Sequence, residues 1–113
     1  MTEPQLYTLH ASICHTLSNP KRLEIIERLR QGEMSVTKLT EALRISQANL
    51  SQHLAIMREK GIVITRREGV SVYYRLSNPK IIQACDLMRQ VLLEHFEANA
   101  ELARGELMKE EPV

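Results

Sequence analysis

The stretch ISQANLSQHLAIMREKG, residues 45–61, has too few charges for a helix whose outer side only faces water. Wound at about 3.6 residues per turn, it places Leu50, Leu54 and Met57 on one stripe. Ala48, Ser51, Gln52 and Ala55 lie roughly opposite, flanked by Gln47 and Asn49. One side therefore belongs to a core, and the other presents amides, hydroxyls and methyls. Ser46 stands where a cap is needed, and Gly61 ends the run.

The same periodicity extends upstream. Leu6, Leu9, Ile13 and Leu17 predict a first helix over residues 5–17. Ser18-Asn19-Pro20 supplies a cap and a first-turn proline for a second helix carrying Leu23, Ile26 and Leu29, which stops at Gly32. Ser35 caps a short third helix from Val36 to Leu43, with Leu39 and Leu43 inward. Downstream, IVITRREGVSVYYRL is β-branched and aromatic with Glu68-Gly69 at its centre, which reads as a two-stranded hairpin. Asn78-Pro79 resets the chain into a long last helix with Ile81, Cys85, Met88, Leu92 and Phe96 on one stripe.

These elements predict a mainly α chain with a small β-hairpin, a winged helix-turn-helix domain over residues 1–104. The helix-turn-helix spans 36–60 and the wing 62–76. The acidic tail, 105–113, is expected to fray. A length of 113 residues suits one domain, and 43% hydrophobic with 26% charged residues suits a globular one. No run approaches the roughly eighteen apolar residues of a membrane span, and no secretory signal opens the chain, so the expected location is cytoplasmic. The net charge of +1 hides an uneven distribution. Within residues 44–75 six cations face two carboxylates, whereas from Glu94 onward six glutamates face two cations. A basic middle beside an acidic end suggests a polyanion-binding surface, against the ordinary alternative of two solvated faces.

A winged helix-turn-helix gives the helix at residues 45–61 its purpose. Small side chains at Ala48, Ser51 and Ala55 let its backbone approach the floor of the major groove of double-stranded DNA. Gln47, Asn49 and Gln52 offer paired donors and acceptors to base edges. Ser46, at the helix start, meets a phosphate with its hydroxyl and neighbouring N–H groups. Arg66 and Arg67 precede the hairpin turn on opposite strand faces, one to follow phosphates or enter the minor groove. A protein-interaction module that has kept the fold without DNA binding is the alternative. No glycine loop for phosphates, no HExxH and no third group for a Cys–His dyad is present, so no enzyme is expected.

LSNPKRLEIIERL, MSVTKLTEALRISQANLSQHLAIMREKGIV and TRREGVSVYYRLSNP resemble the ArsR–SmtB family of winged-helix repressors, over residues 13–96. The resemblance implies a prokaryotic homodimer paired through the first and last helices, here 5–17 and 79–103. It also implies release from operator DNA when a metal, metalloid or redox signal arrives. DNA contact is implied for Ser46, Gln47, Asn49, Ser51 and Gln52 with the wing arginines. His53 matches a frequent family histidine and is read as structural.

The departures from the family are specific. Its thiolate site at the start of the third helix falls on Met34-Ser35-Val36-Thr37, which has no cysteine. Its second site falls on Asn78, Lys80, Val91 and Glu94, of which only Glu94 is a ligand type. The wing tip, often basic in relatives, is Val70. No metal site is carried over. His10 and Cys14, four apart on one helical face, and Cys85 remain as sensor candidates. They suit a disulfide or polysulfide switch, or zinc or another thiophilic ion, against the plain alternative of two buried thiols.

Overall fold

The computed structural model describes residues 1–109. Their elements are α1 (Glu3–Leu17), α2 (Pro20–Arg28), a 3-10 turn (Leu29–Gln31), β1 (Met34–Ser35), α3 (Val36–Leu43), α4 (Gln47–Glu59), β2 (Val63–Glu68), β3 (Ser71–Leu76) and α5 (Lys80–Lys109). The fold is mostly helical with one small antiparallel sheet, the winged helix-turn-helix that the sequence predicts.

Each helix starts where a side chain can satisfy its orphan amides. Thr2 and Gln5 exchange a capping box at the head of α1. Asn19 Oδ1 accepts from Lys21 N at 2.9 Å and Arg22 N at 3.2 Å, with Pro20 in the first turn of α2. Ser35 caps α3 through Lys38 N, and Ser46 caps α4 through Asn49 N, both at 3.1 Å. Asn78 Oδ1 accepts from Lys80 N at the start of α5.

The chain divides into two compact units, Met1–Ile81 and Ile82–Val113. In the first, Ile25, Ile26, Leu29, Leu39, Leu43, Leu50, Leu54, Met57, Ile62, Val63 and Tyr74 are buried as the core. The sheet order is β1-β3-β2. At the wing tip Gly69 takes φ +60, the positive value a two-residue hairpin loop needs at its first central position. The other unit is α5 beyond its first residues. Leu87, Met88, Val91, Leu92, Leu93, Phe96 and Leu102 stand exposed on it in the single chain.

Four details differ from expectation. The wing sheet has a third strand, because β1 pairs Met34 with Tyr74 and Ser35 with Tyr73. Two residues are too few to show a strand period, and only β3 gives them a partner. The second helix gives way to a 3-10 turn at Leu29 before Gly32. The last helix runs past the expected end at 103, because Glu106, Leu107, Met108 and Lys109 after Gly105 all favour helix. Residues 105–109 of the expected tail are thus helical, and 110–113 lie outside the described residues. Finally, the thiols are not both buried: Cys14 is exposed, Cys85 is half-buried, and neither is in a disulfide. Cys14 falls on the side of α1 away from the buried Thr16.

Leu54, 1% exposed, anchors α4 from the middle of its stripe. Leu54→Ala should lower the unfolding free energy by about 2–5 kcal/mol through lost transfer energy and the cavity left behind. Chemical denaturation at fixed protein concentration measures this. A loss well under 1 kcal/mol would show that the anchor lies elsewhere.

Candidate nucleic-acid interface

Core burial decides which side of α4 is available. Leu50, Leu54 and Met57 point inward, which leaves Gln47, Ala48, Asn49, Ser51, Gln52 and Ala55 exposed. Five expected contact residues, Ser46, Gln47, Asn49, Ser51 and Gln52, therefore share one solvent-facing surface at the N-terminal end of the helix. Ser46 Oγ accepts the Asn49 amide, so its O–H hydrogen remains to be donated outward. The amides of Gln47 and Ala48 lie in the first turn and have no intrahelical carbonyl to reach. Amide side chains, a hydroxyl donor, two N–H groups and the positive end of the helix dipole thus converge there.

The two wing arginines meet different fates. The register places Arg66 opposite Tyr73 and Arg67 opposite Val72. Tyr74 is buried and Tyr73 only half-buried, so Arg66 lies on the outer sheet face and Arg67 on the side that carries the core. Arg66 is gripped from three sides. Nη2 donates to Glu33 Oε1 at 2.6 Å and Nε to Oε2 at 3.0 Å, while Nη1 donates to Glu68 Oε2 at 2.8 Å. Its guanidinium carbon sits 4.5 Å from the centre of the Tyr73 ring. These hydrogen bonds raise the arginine's affinity for its proton, and the bonds from Arg66 hold the Glu33 carboxyl below its ordinary range. Arg67 is exposed and makes no ion pair or side-chain hydrogen bond among the described residues.

Between the start of α3, Gln47 and the wing lies a cleft of about 430 Å³. Ser35, Val36, Thr37 and Lys38 form one wall, Val70, Ser71, Val72 and Tyr73 another. Among the described residues no group of three His, Cys, Asp or Glu side chains is placed to hold a metal ion. His10 and Cys14 are both exposed on α1, while Cys85 stands on α5.

A sequence profile described as "Bacterial regulatory protein, arsR family" matches residues 19–65. The biofilm growth-associated repressor of Xylella fastidiosa is 44% identical over 73 residues, 65% of this chain and 64% of that protein. This chain therefore spans a little under two thirds of that relative's length. An HTH-type transcriptional regulator of Mycobacterium tuberculosis is 34% identical over 93 residues, 81% of this chain and 82% of that one. Its crystal structure superposes with a TM-score of 0.78, covering 88% of this chain and 99% of that one at 33% identity. The chain belongs to the ArsR family. A solution structure from Mycobacterium bovis, described as a homodimeric winged helix-turn-helix DNA-binding domain and a possible ArsR-family regulator, superposes with a TM-score of 0.77. It is 29% identical, with 87% of this chain and 93% of that one covered. No helix among this ArsR-family chain's described residues is long and apolar enough to cross a membrane.

Within this ArsR-family domain, residues that sequence reasoning did not single out hold the site in place. Arg22 on α2 donates from Nε to His53 Nδ1 on α4 at 3.2 Å and from Nη1 to the Thr16 carbonyl at 3.1 Å. It thereby ties the end of α1 to α4. His53 is bonded within the domain, the structural role read for it from the sequence. Glu33 does the same for the wing through Arg66. Partners 31 and 33 residues apart leave no local pattern by which to find them.

His53 can accept from Arg22 only while Nδ1 is unprotonated. Burial first, then the charges of Arg22 and Lys21, hold its pKa below the ordinary 6.5. The unfolded chain therefore takes up a proton near 6.5 while the folded chain does not, so stability is full above that value and falls as pH drops toward the folded pKa. His53→Gln keeps an acceptor without a titration. It should flatten the pH dependence of unfolding free energy below about pH 6.5. Parallel curves for the two proteins would refute this assignment.

Proposed function

We propose that this chain is a DNA-binding transcriptional regulator that acts as a homodimer on a near-palindromic operator and represses until an inducer arrives. The observation that carries the reading is the uncharged, hydrogen-bonding outer face of α4, turned outward by the burial of Leu50, Leu54 and Met57. Its small residues permit close approach to the groove floor, and Gln47, Asn49 and Gln52 suit base edges, adenine in particular. Arg67, unpartnered on the core-side face of the wing, suits phosphate. Relatives named as repressors and as a DNA-binding domain support the same reading.

A dimer accounts for apolar surface that a lone chain leaves in water. Leu6, Tyr7 and Leu9 on α1 are exposed, as are Leu92, Phe96 and their neighbours on α5. Large apolar side chains left in water on each of the two units mark association sites. Two recognition helices then enter successive major grooves, which sets half-sites about 10 bp apart or a multiple of it.

The inducer in this proposal acts at the thiols. Cys14 is exposed with His10 one turn before it, an arrangement open to an oxidant, a polysulfide or a thiophilic ion such as zinc. Operator affinity measured for reduced, oxidised, zinc-loaded and chelator-treated protein separates these signals. Oxidant or polysulfide should weaken DNA binding by the wild type, and Cys14→Ser or Cys85→Ser should abolish the response. A double Ser variant that responds like wild type would remove the thiols from the mechanism.

The DNA reading makes a sharper prediction. Gln52→Ala should cost about 1–3 kcal/mol on the preferred site and relax selectivity at one base pair. Arg67→Ala should weaken all duplexes alike and reduce the salt dependence. Binding titrations against selected and random duplexes decide it. Equal losses on both duplexes for Gln52→Ala would mean that another face of α4 reads the bases.

A further inference from the structure

Among the described residues, Arg44 is the only one with a side chain that adopts a positive φ. It closes α3 at φ +56 and ψ +44, its amide bonded to the Thr40 carbonyl at 2.9 Å. In this left-handed region a Cβ crowds the following carbonyl. Glycine takes the position freely, and asparagine tolerates it better than other side chains do. An arginine here is strained.

The strain brings the fold no visible return. The Arg44 side chain is exposed and makes no ion pair or side-chain hydrogen bond among the described residues. The chain on either side of it is held: Leu43 is buried, Ile45 is half-buried, and Ser46 caps α4. A free cation thus projects from a rigid turn, two residues before the outward-facing start of α4.

That turn has a particular place in the helix-turn-helix geometry. The second helix enters the major groove by its N-terminal end while the first crosses the sugar-phosphate backbone. The residue joining the two lies over that backbone, and a guanidinium there can give a phosphate two parallel N–H donors. We propose that Arg44 is a DNA-phosphate contact that anchors the entry of α4 into the groove, and that its strained backbone is retained for this contact. The proposal rests on the DNA-binding reading above.

The test uses the full chain and a fluorescent mixed-sequence duplex, titrated across a salt series alongside thermal unfolding. Arg44→Gly relieves the strain and should raise the unfolding midpoint by about 4 °C. The same variant should lose about five- to tenfold in affinity per protomer at 0.1 M salt, with the salt slope shallower by about one unit per protomer. Arg44→Asn, which tolerates the backbone without the flexibility of glycine, should lose the same slope. Arg44→Lys should keep it. A more stable protein that binds DNA less well is an outcome a purely structural arginine would not produce. Wild-type slopes in both uncharged variants, or lost affinity at an unchanged slope, would overturn the proposal while leaving the DNA reading intact. Absence of salt-dependent duplex binding by the wild type would instead bring down that reading, and Arg44's role with it.

Discussion

The stripe of Leu50, Leu54 and Met57 controls how α4 is oriented. All three are essentially sealed from water, and each would contribute about 1.5–3 kcal/mol less if turned outward. Because successive residues are about 100° apart, α4 cannot roll about its axis without exposing one of them. The outer face is therefore decided by the inner one. Gln47, Ser51 and Gln52 need no interaction of their own to be held in solvent. The exposed face keeps its freedom to hydrogen-bond because apolar packing behind it does the positioning.

Polar contacts then refine what burial has set. Arg22 reaches both the Thr16 carbonyl and His53, so α1, α2 and α4 share one guanidinium. The geometry requires a neutral imidazole, and the half-buried setting beside two cations supplies one. At the wing, Arg66 bridges Glu33 and Glu68 over the Tyr73 ring. Surface ion pairs contribute little to stability, so this cluster matters for direction: it joins the wing to the segment leading into β1. It also occupies a cation that would otherwise be available to phosphate. Strand alternation separates Arg66 from its neighbour Arg67, and adjacent identical residues acquire different surroundings.

The family membership and the departures from it fit this division. What belongs to shape, the helix-turn-helix and wing, matches relatives over most of the chain. The segment leading into α3 has no thiol, and Cys14 and Cys85 stand on other helices.

The sequence by itself determined the five helices, the wing hairpin and the outward face of α4. Helical period, caps at Asn19, Ser35 and Ser46, and the β-branched run around Gly69 act between residues at most four apart, so they can be read in order along the chain. The solvent-facing residues of α4 were legible for the same reason, as the complement of a local apolar stripe. Only the tertiary structure decided the rest. β1 exists because β3 lies beside it, and Arg66 is paired because Glu33 comes within 2.6 Å. Burial first, and then an arginine 31 residues away, hold the His53 pKa below its ordinary value, and the exposure of Cys14 follows from which side of α1 the core covers. These are properties of pairs brought together by folding, and no local pattern marks which distant residue will supply the partner.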